Sequence, residues 1–208
     1  MTESDSEKVD LRSEIPRFRE ATPPPAFGEF VENMRRLQDL AVCVDAPDEV
    51  YAAARDQAAE LVGLLAPHAA REGKGPANRS MSLPGRGSLL MPPFRVEKFD
   101  EESVLARGVL RRYHLGGGGV AHGGVLPLIF DDNFGNVIFA ARRPISRTAY
   151  LHVNYRKVTP LDVPLVIEGK VDRIDGRKTF ITARLTEEDG TLLADGEGLM
   201  VQLLPGQP

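Results

Sequence analysis

A chain of 208 residues, 42% hydrophobic and 27% charged, is long enough for one domain with a sizeable core plus an extension, or for two small domains, and has an ordinary globular make-up. A formal net charge of −4 and a pI of about 5.6 argue against nucleic acid as the main partner, but leave room for a local basic patch that holds a phosphorylated small molecule. The single cysteine, Cys43, excludes an intrachain disulfide and suits a reducing compartment; no apolar run approaches the roughly 18 residues of a membrane span, and the polar, acidic start MTESDSEKVD differs from a signal or transit peptide, so a cytoplasmic location is expected.

Residues 1–26 are polar, end in TPPPA and read as a disordered or loosely docked tail. From Phe27 the pattern turns helical, with Phe27, Phe30, Val31, Met34, Leu37 and Ala41 at helix spacing. DAPDE (45–49) predicts a second helix start capped by Asp45, with Val50, Ala54, Ala58, Leu61, Val62 and Leu65 as its buried stripe and Pro67 at its end. REGKGPANRSMSLPGRG (71–87) has linker composition. The expected division is therefore a tail over 1–26, a helical extension and linker over 27–87, and a main domain over 88–208.

In the main domain the period changes. FRVEKF (94–99) and VLARGVLRRYH (104–114) read as strands, followed by a glycine-rich loop and an apolar helix over about 123–141. Further strands follow at 147–157, 164–174 and 178–188, and the stretch TLLADGEGLMVQLL supplies a last one; DG at 175–176 and 189–190 marks hairpins. The helix is apolar nearly all round (Val125, Leu126, Leu128, Ile129, Phe130, Phe134, Val137, Ile138 and Phe139), so it must be buried on most sides. A curved antiparallel sheet wrapped around one central helix satisfies that demand. The fold class is α+β with an N-terminal helical extension.

The stretch GGGGVAHGGVLPLIFDDNFGN (116–136) carries the chemistry. A helix start presents unsatisfied N–H groups at the positive end of its dipole, and glycines there admit a ligand oxygen close to the backbone; the plainer reading of the same glycines is tight loop-to-helix packing. Asp131 and Asp132 stand in an otherwise apolar run. A carboxylate among Ile129, Phe130 and Phe134 is costly to bury, and burial makes a carboxyl a better proton acceptor. Asp132, pointing about 100° away, is expected to be a solvated neighbour. Four histidines and one cysteine show no metal-ligand spacing, the glycines lack a phosphate-loop ending, and no cofactor is implied.

HGGVLPLIFDD resembles the HGG motif and following helix of the PaaI-like hotdog acyl-CoA thioesterases, which place an acid nine residues after the histidine, here Asp131. TAYLHVNYRKVTPL and VDRIDGRKTFITARL resemble the following strands of the THEM4/THEM5 branch, so the resemblance covers roughly residues 88–204. It implies the hotdog fold and hydrolysis of an acyl-CoA, or an acyl-carrier-protein thioester, to a free acid, with medium or long acyl chains expected. It implies Gly123 N–H as oxyanion donor with Gly124 beside it, Asp131 as base or nucleophile, His122 near the thioester, and Thr148 from a partner subunit orienting the water or acid. Homodimers, or dimers of such dimers, paired sheet edge to sheet edge are expected. Arg156, Lys157, Arg177 and Lys178 are basic pairs at strand ends and turns that could meet coenzyme A phosphates, or stand simply solvated. The chain departs from the family at Gly116–Gly119, where relatives often carry an Asn or Gln for the thioester carbonyl; His114 is the candidate to stand in. Two other readings stay open: a hotdog hydratase or dehydratase using His122 and Asp131 together, and a non-catalytic acyl-CoA or lipid binder.

Overall fold

The computed structural model describes residues 20–71, 73–101, 103–204 and 206. Most of the expected tail, up to residue 19, lies outside the described residues; just beyond it, Ala21 N–H donates to the Arg79 carbonyl at 2.9 Å. The elements are α1 (Phe27–Ala41), α2 (Asp48–Leu65), β1 (Arg95–Phe99), β2 (Ser103–Val109), β3 (Leu115–Gly117), β4 (Val120–Ala121), α3 (Val125–Ala140), β5 (Ser146–Tyr155), β6 (Pro164–Asp175), β7 (Lys178–Glu187) and β8 (Leu192–Gln202).

Six strands form one antiparallel sheet in the order β1-β2-β6-β7-β8-β5, with β1 and β5 at its edges. Helix α3 packs against β2, β5, β6, β7 and β8, which is the hotdog arrangement. Alternation along the strands supplies the inner face: Leu165 and Ile167 on β6, and Ile181, Ala183 and Leu185 on β7, meet Leu126, Ile129, Phe130, Phe134 and Val137 on α3. Each of these Leu, Ile, Val and Phe side chains contributes on the order of 1.5–3 kcal/mol when fully buried. The sheet approaches the helix closely because three strand positions lack a side chain. A Cβ on Gly198 would lie 2.5 Å from the Phe134 ring, one on Gly196 would lie 2.8 Å from Phe130, and one on Gly169 would collide with Asn133.

The glycine loop is itself folded. Leu115–Gly117 and Val120–Ala121 pair as a short hairpin, and Gly118 and Gly119 turn it with φ of 61° and 79°, left-handed values that favour glycine in such two-residue turns. The expected strand over 104–114 stops at Val109, and Arg112–His114 forms a 3-10 turn that leads into the hairpin.

The extension differs from expectation. On α1 only Val31 and Arg35 are buried, and Leu37 is exposed. The stripe expected on α2 does not form a buried face; no α2 residue is buried, and of the stripe only Leu61 is even half-buried. Asp45 does not cap α2, whose N-cap position is Pro47 with no side-chain hydrogen bond. The segment with linker composition, by contrast, is packed at its end: Ser80, Gly85, Gly87 and Ser88 are buried, in and around a 3-10 turn at Pro84–Gly87. Among the described residues no helix is long and apolar enough to cross a membrane, and no cluster of His, Cys, Asp and Glu could hold a metal ion.

Candidate active site

The N-terminus of α3 is held by the residues that precede it. His122 N–H donates to the His114 carbonyl at 2.7 Å, and Val125 and Leu126 N–H groups close back on the carbonyls of His122 and Gly123. Gly124 N–H donates to His122 Nδ1 at 3.0 Å. That bond removes Gly124 as a free donor, contrary to the sequence expectation. It also makes Nδ1 the acceptor, so in the neutral ring the hydrogen sits on Nε2, on an exposed side chain. Gly123 N–H meets no protein acceptor among the described residues, while its carbonyl accepts from Tyr155 Oη at 2.9 Å. The helix start therefore offers one unengaged backbone donor, at Gly123, where the dipole of α3 also points.

Eight residues on, Asp131 is exposed within the single chain, so the burial among Ile129, Phe130 and Phe134 expected from the sequence does not occur there. Its partner is Thr148, whose Oγ1 donates to Asp131 Oδ1 at 2.6 Å and also lies 3.3 Å from Met200 Sδ. Within one chain Thr148 reaches Asp131 because β5 runs beside α3. The solvated role expected for Asp132 is also overturned. Asp132 is about four-fifths covered and paired bidentately with Arg86.

His114 does not stand in for a missing carbonyl amide. It is 5% exposed, its Nδ1 accepts from Arg111 N–H at 2.9 Å, and its ring lies 3.9 Å from that of Tyr113. Burial pushes its pKa down to about 4, although the nearby Asp39 carboxylate opposes the shift.

The basic residues separate into two groups. Arg156 pairs with Asp195, and that hydrogen bond holds the Asp195 carboxyl below its ordinary range. Arg156 and Lys157 line a cavity of about 350 Å³ with Val120, Ala121, Leu126, Val158 and Thr159, next to Gly123 and Tyr155. Arg177 and Lys178 lie at the opposite end of the sheet, where Lys178 pairs through Val201 with Arg147. Eight residues of β5 separate Arg147 from Tyr155, roughly 26 Å of strand, so one chain does not gather all four on one ligand. Sequence reasoning missed Tyr155, Arg86, Asp195 and Met200. Tyr155 stood inside the NYRK stretch whose cations drew attention, and nothing local marks the other three.

A curved antiparallel sheet around a central helix defines the hotdog fold, and this chain adds an open backbone donor at the helix start and a carboxylate two turns along it. Residues 118–194 match the family model described as Thioesterase superfamily. Over 91 residues it is 31% identical to the acyl-coenzyme A thioesterase THEM4 of Mus musculus and 33% identical to that of Rattus norvegicus, covering 43% of this chain but only 39% of either relative. The match therefore spans about two fifths of those proteins. A thioesterase superfamily protein known by crystal structure superposes with a TM-score of 0.73 at 25% identity, over 88% of this chain and 98% of that one; its coverage extends into the N-terminal extension. A Streptococcus pneumoniae hypothetical thioesterase crystallised with coenzyme A shares the fold at 23% identity and a TM-score of 0.50, over 52% of this chain and 86% of its own.

Proposed function

We propose that the protein hydrolyses an acyl-CoA thioester, of medium or long acyl chain, to the free acid and coenzyme A. The observation that carries this reading is the pairing of an unengaged Gly123 N–H at the start of α3 with a Thr148-held carboxylate at Asp131, within the segment that matches the Thioesterase superfamily model. The names of the THEM4 relatives support the acyl-CoA substrate, and the apolar side of the cavity beside Gly123 suits an acyl or pantetheine chain. In the reaction a water oxygen bonds to the thioester carbon as Asp131 takes its proton, or the Asp131 carboxylate attacks first and water then hydrolyses the resulting mixed anhydride to release the acid. The carbonyl oxygen becomes an oxyanion at Gly123 N–H, the C–S bond breaks, and the thiolate leaves to be protonated as free coenzyme A. One such donor is typically worth about 3 kcal/mol in the transition state.

The reading needs two copies. Gly123 and Asp131 stand roughly 12 Å apart along the axis of one helix, whereas both must lie within about 3 Å of the reacting groups of one thioester. The edge strand β5, exposed over Arg147–Tyr150, offers the pairing surface. Two-fold antiparallel pairing of β5 strands brings the Ser146 end of one copy to the Tyr155 end of the other. Gly123 of one copy then faces Asp131 and Thr148 of the second, and Arg177 and Lys178 of the second approach the cavity bearing Arg156 and Lys157. The hydratase reading is weakened because His122 Nδ1 is already occupied by Gly124 N–H, leaving no free base on that ring. The deciding experiment is thiol release from acyl-CoAs ranging from acetyl to palmitoyl, with Asp131→Asn alongside. The expected result is turnover lost in the variant; no release from any chain length would favour a binding protein, and release indifferent to Asp131→Asn would overturn the mechanism.

A further inference from the structure

Glu32, Arg35 and Asp39 are spaced three and four residues apart on α1 and share one face. Arg35 is 2% exposed and sends Nη2 to the carbonyls of Pro84 and Ser88 at 2.9 and 2.8 Å, gathering the Pro84–Gly87 turn around its guanidinium. In that turn Gly85, Arg86 and Gly87 have φ of 55°, 53° and 74°. An arginine adopts such a left-handed backbone only at a cost. A Cβ on residue 85 would lie 2.9 Å from the Pro92 carbonyl and 3.2 Å from Arg35, so glycine is required there. The turn directs Arg86 onto both oxygens of Asp132, the residue next to Asp131.

The same α1 face reaches the other end of the site. Glu32 and Asp39 hold Arg111 at 2.8 and 2.6 Å. Arg111 N–H donates to His114 Nδ1, and the His114 carbonyl takes the N–H of His122, the residue before Gly123. An extension that served only as cover would pack through apolar side chains, yet Val31 is the one fully buried apolar residue of α1. Beside the packing of Phe27 on Gly87 and of Leu83 on Gly28, the contacts are guanidinium forks, which restrict orientation as well as distance.

We propose that α1 is a clamp that sets the two ends of the α3 site relative to each other, with Arg86 the positioning residue for the Asp131 turn and Arg111 the positioning residue for the Gly123 donor. The inference rests on the thioesterase reading for its kinetic consequence but not for its structural one. The test compares Arg86→Met, Arg86→Lys, Asp132→Asn and the Arg86→Met/Asp132→Asn double variant in the full chain, by thiol release and by hydrogen exchange of the α3 amides. Expected are a fall in kcat of about tenfold or more in Arg86→Met and in Asp132→Asn, KM within about twofold, and faster exchange over residues 125–132. The double variant is expected to be no worse than the weaker single, and Arg86→Lys to recover only part, since an ammonium cannot bond bidentately. Unchanged kcat and exchange in Arg86→Met would overturn the clamp, as would additive losses in the double variant or a kcat deficit that vanishes once activity is corrected for the folded fraction. If the wild-type protein releases thiol from no acyl-CoA, the activity reading fails, while the exchange measurement still decides the clamp.

Discussion

Thr148 Oγ1 lies 2.6 Å from Asp131 Oδ1 within a single chain. A hydroxyl has one hydrogen to give, and at this distance it goes to the carboxylate rather than to Met200 Sδ at 3.3 Å. The bond fixes which Asp131 oxygen faces the sheet and leaves the other free to take a proton. Thr148→Val keeps the shape and removes the bond, so kcat is expected to fall by roughly 10–100-fold, with thermal stability little changed at this exposed position. Thr148→Ser is expected to retain most of the activity; steady-state thiol release on both variants checks this.

Tyr155 donates to the carbonyl of Gly123 at 2.9 Å, and its ring borders the same cavity. The bond restrains the peptide that follows the open N–H. Tyr155→Phe removes a hydrogen bond worth about 1 kcal/mol, and a several-fold loss in kcat/KM is expected. Substitution by Ala, which also removes the cavity wall, is expected to raise KM as well.

His114 couples folding to pH. Its pKa is pushed down to about 4 by burial, against about 6.5 in an unfolded chain. Above pH 6.5 the ring is neutral in both states and the native state keeps its full stability. As pH falls from 6.5 toward 4, only the unfolded state takes up the proton, so stability is lost progressively, and the loss levels off below 4. The full span is on the order of 3 kcal/mol. Urea unfolding between pH 4 and 7 should show this slope, and His114→Gln should flatten it.

Gly198 sits under Phe134, where an added Cβ would lie 2.5 Å from the ring and 3.0 Å from the Tyr150 carbonyl. Neither a core aromatic nor a paired strand can yield cheaply. Gly198→Ala is expected to cost at least about 1–3 kcal/mol, read as a lower Tm. Gly117→Ala, in open space on the glycine hairpin, serves as the comparison and is expected to change stability by about 0.5 kcal/mol or less.

Much of the molecule was legible from local pattern. The apolar run of α3 required burial on most sides, the change of period marked the strands, and the DG pairs placed their turns, because these signals lie within a few residues of one another. The spacing from His122 to Asp131 likewise put a helix start and an acid on one helix. What the sequence could not decide were matters of pairing between distant segments. Asp132 reads as solvated until Arg86, 46 residues away, closes on it. His114 reads as a free donor until Tyr113 and α1 bury it. The stripe of α2 reads as a core face although no α2 residue is buried. Periodicity reports which side chains an element can bury, and the identity of the covering surface is set only when the chain closes on itself. The hotdog core and the helix-start site therefore belong to the sequence, while the Thr148–Asp131 contact, the α1 clamp and the division of the four basic residues between opposite ends of the sheet belong to the tertiary structure.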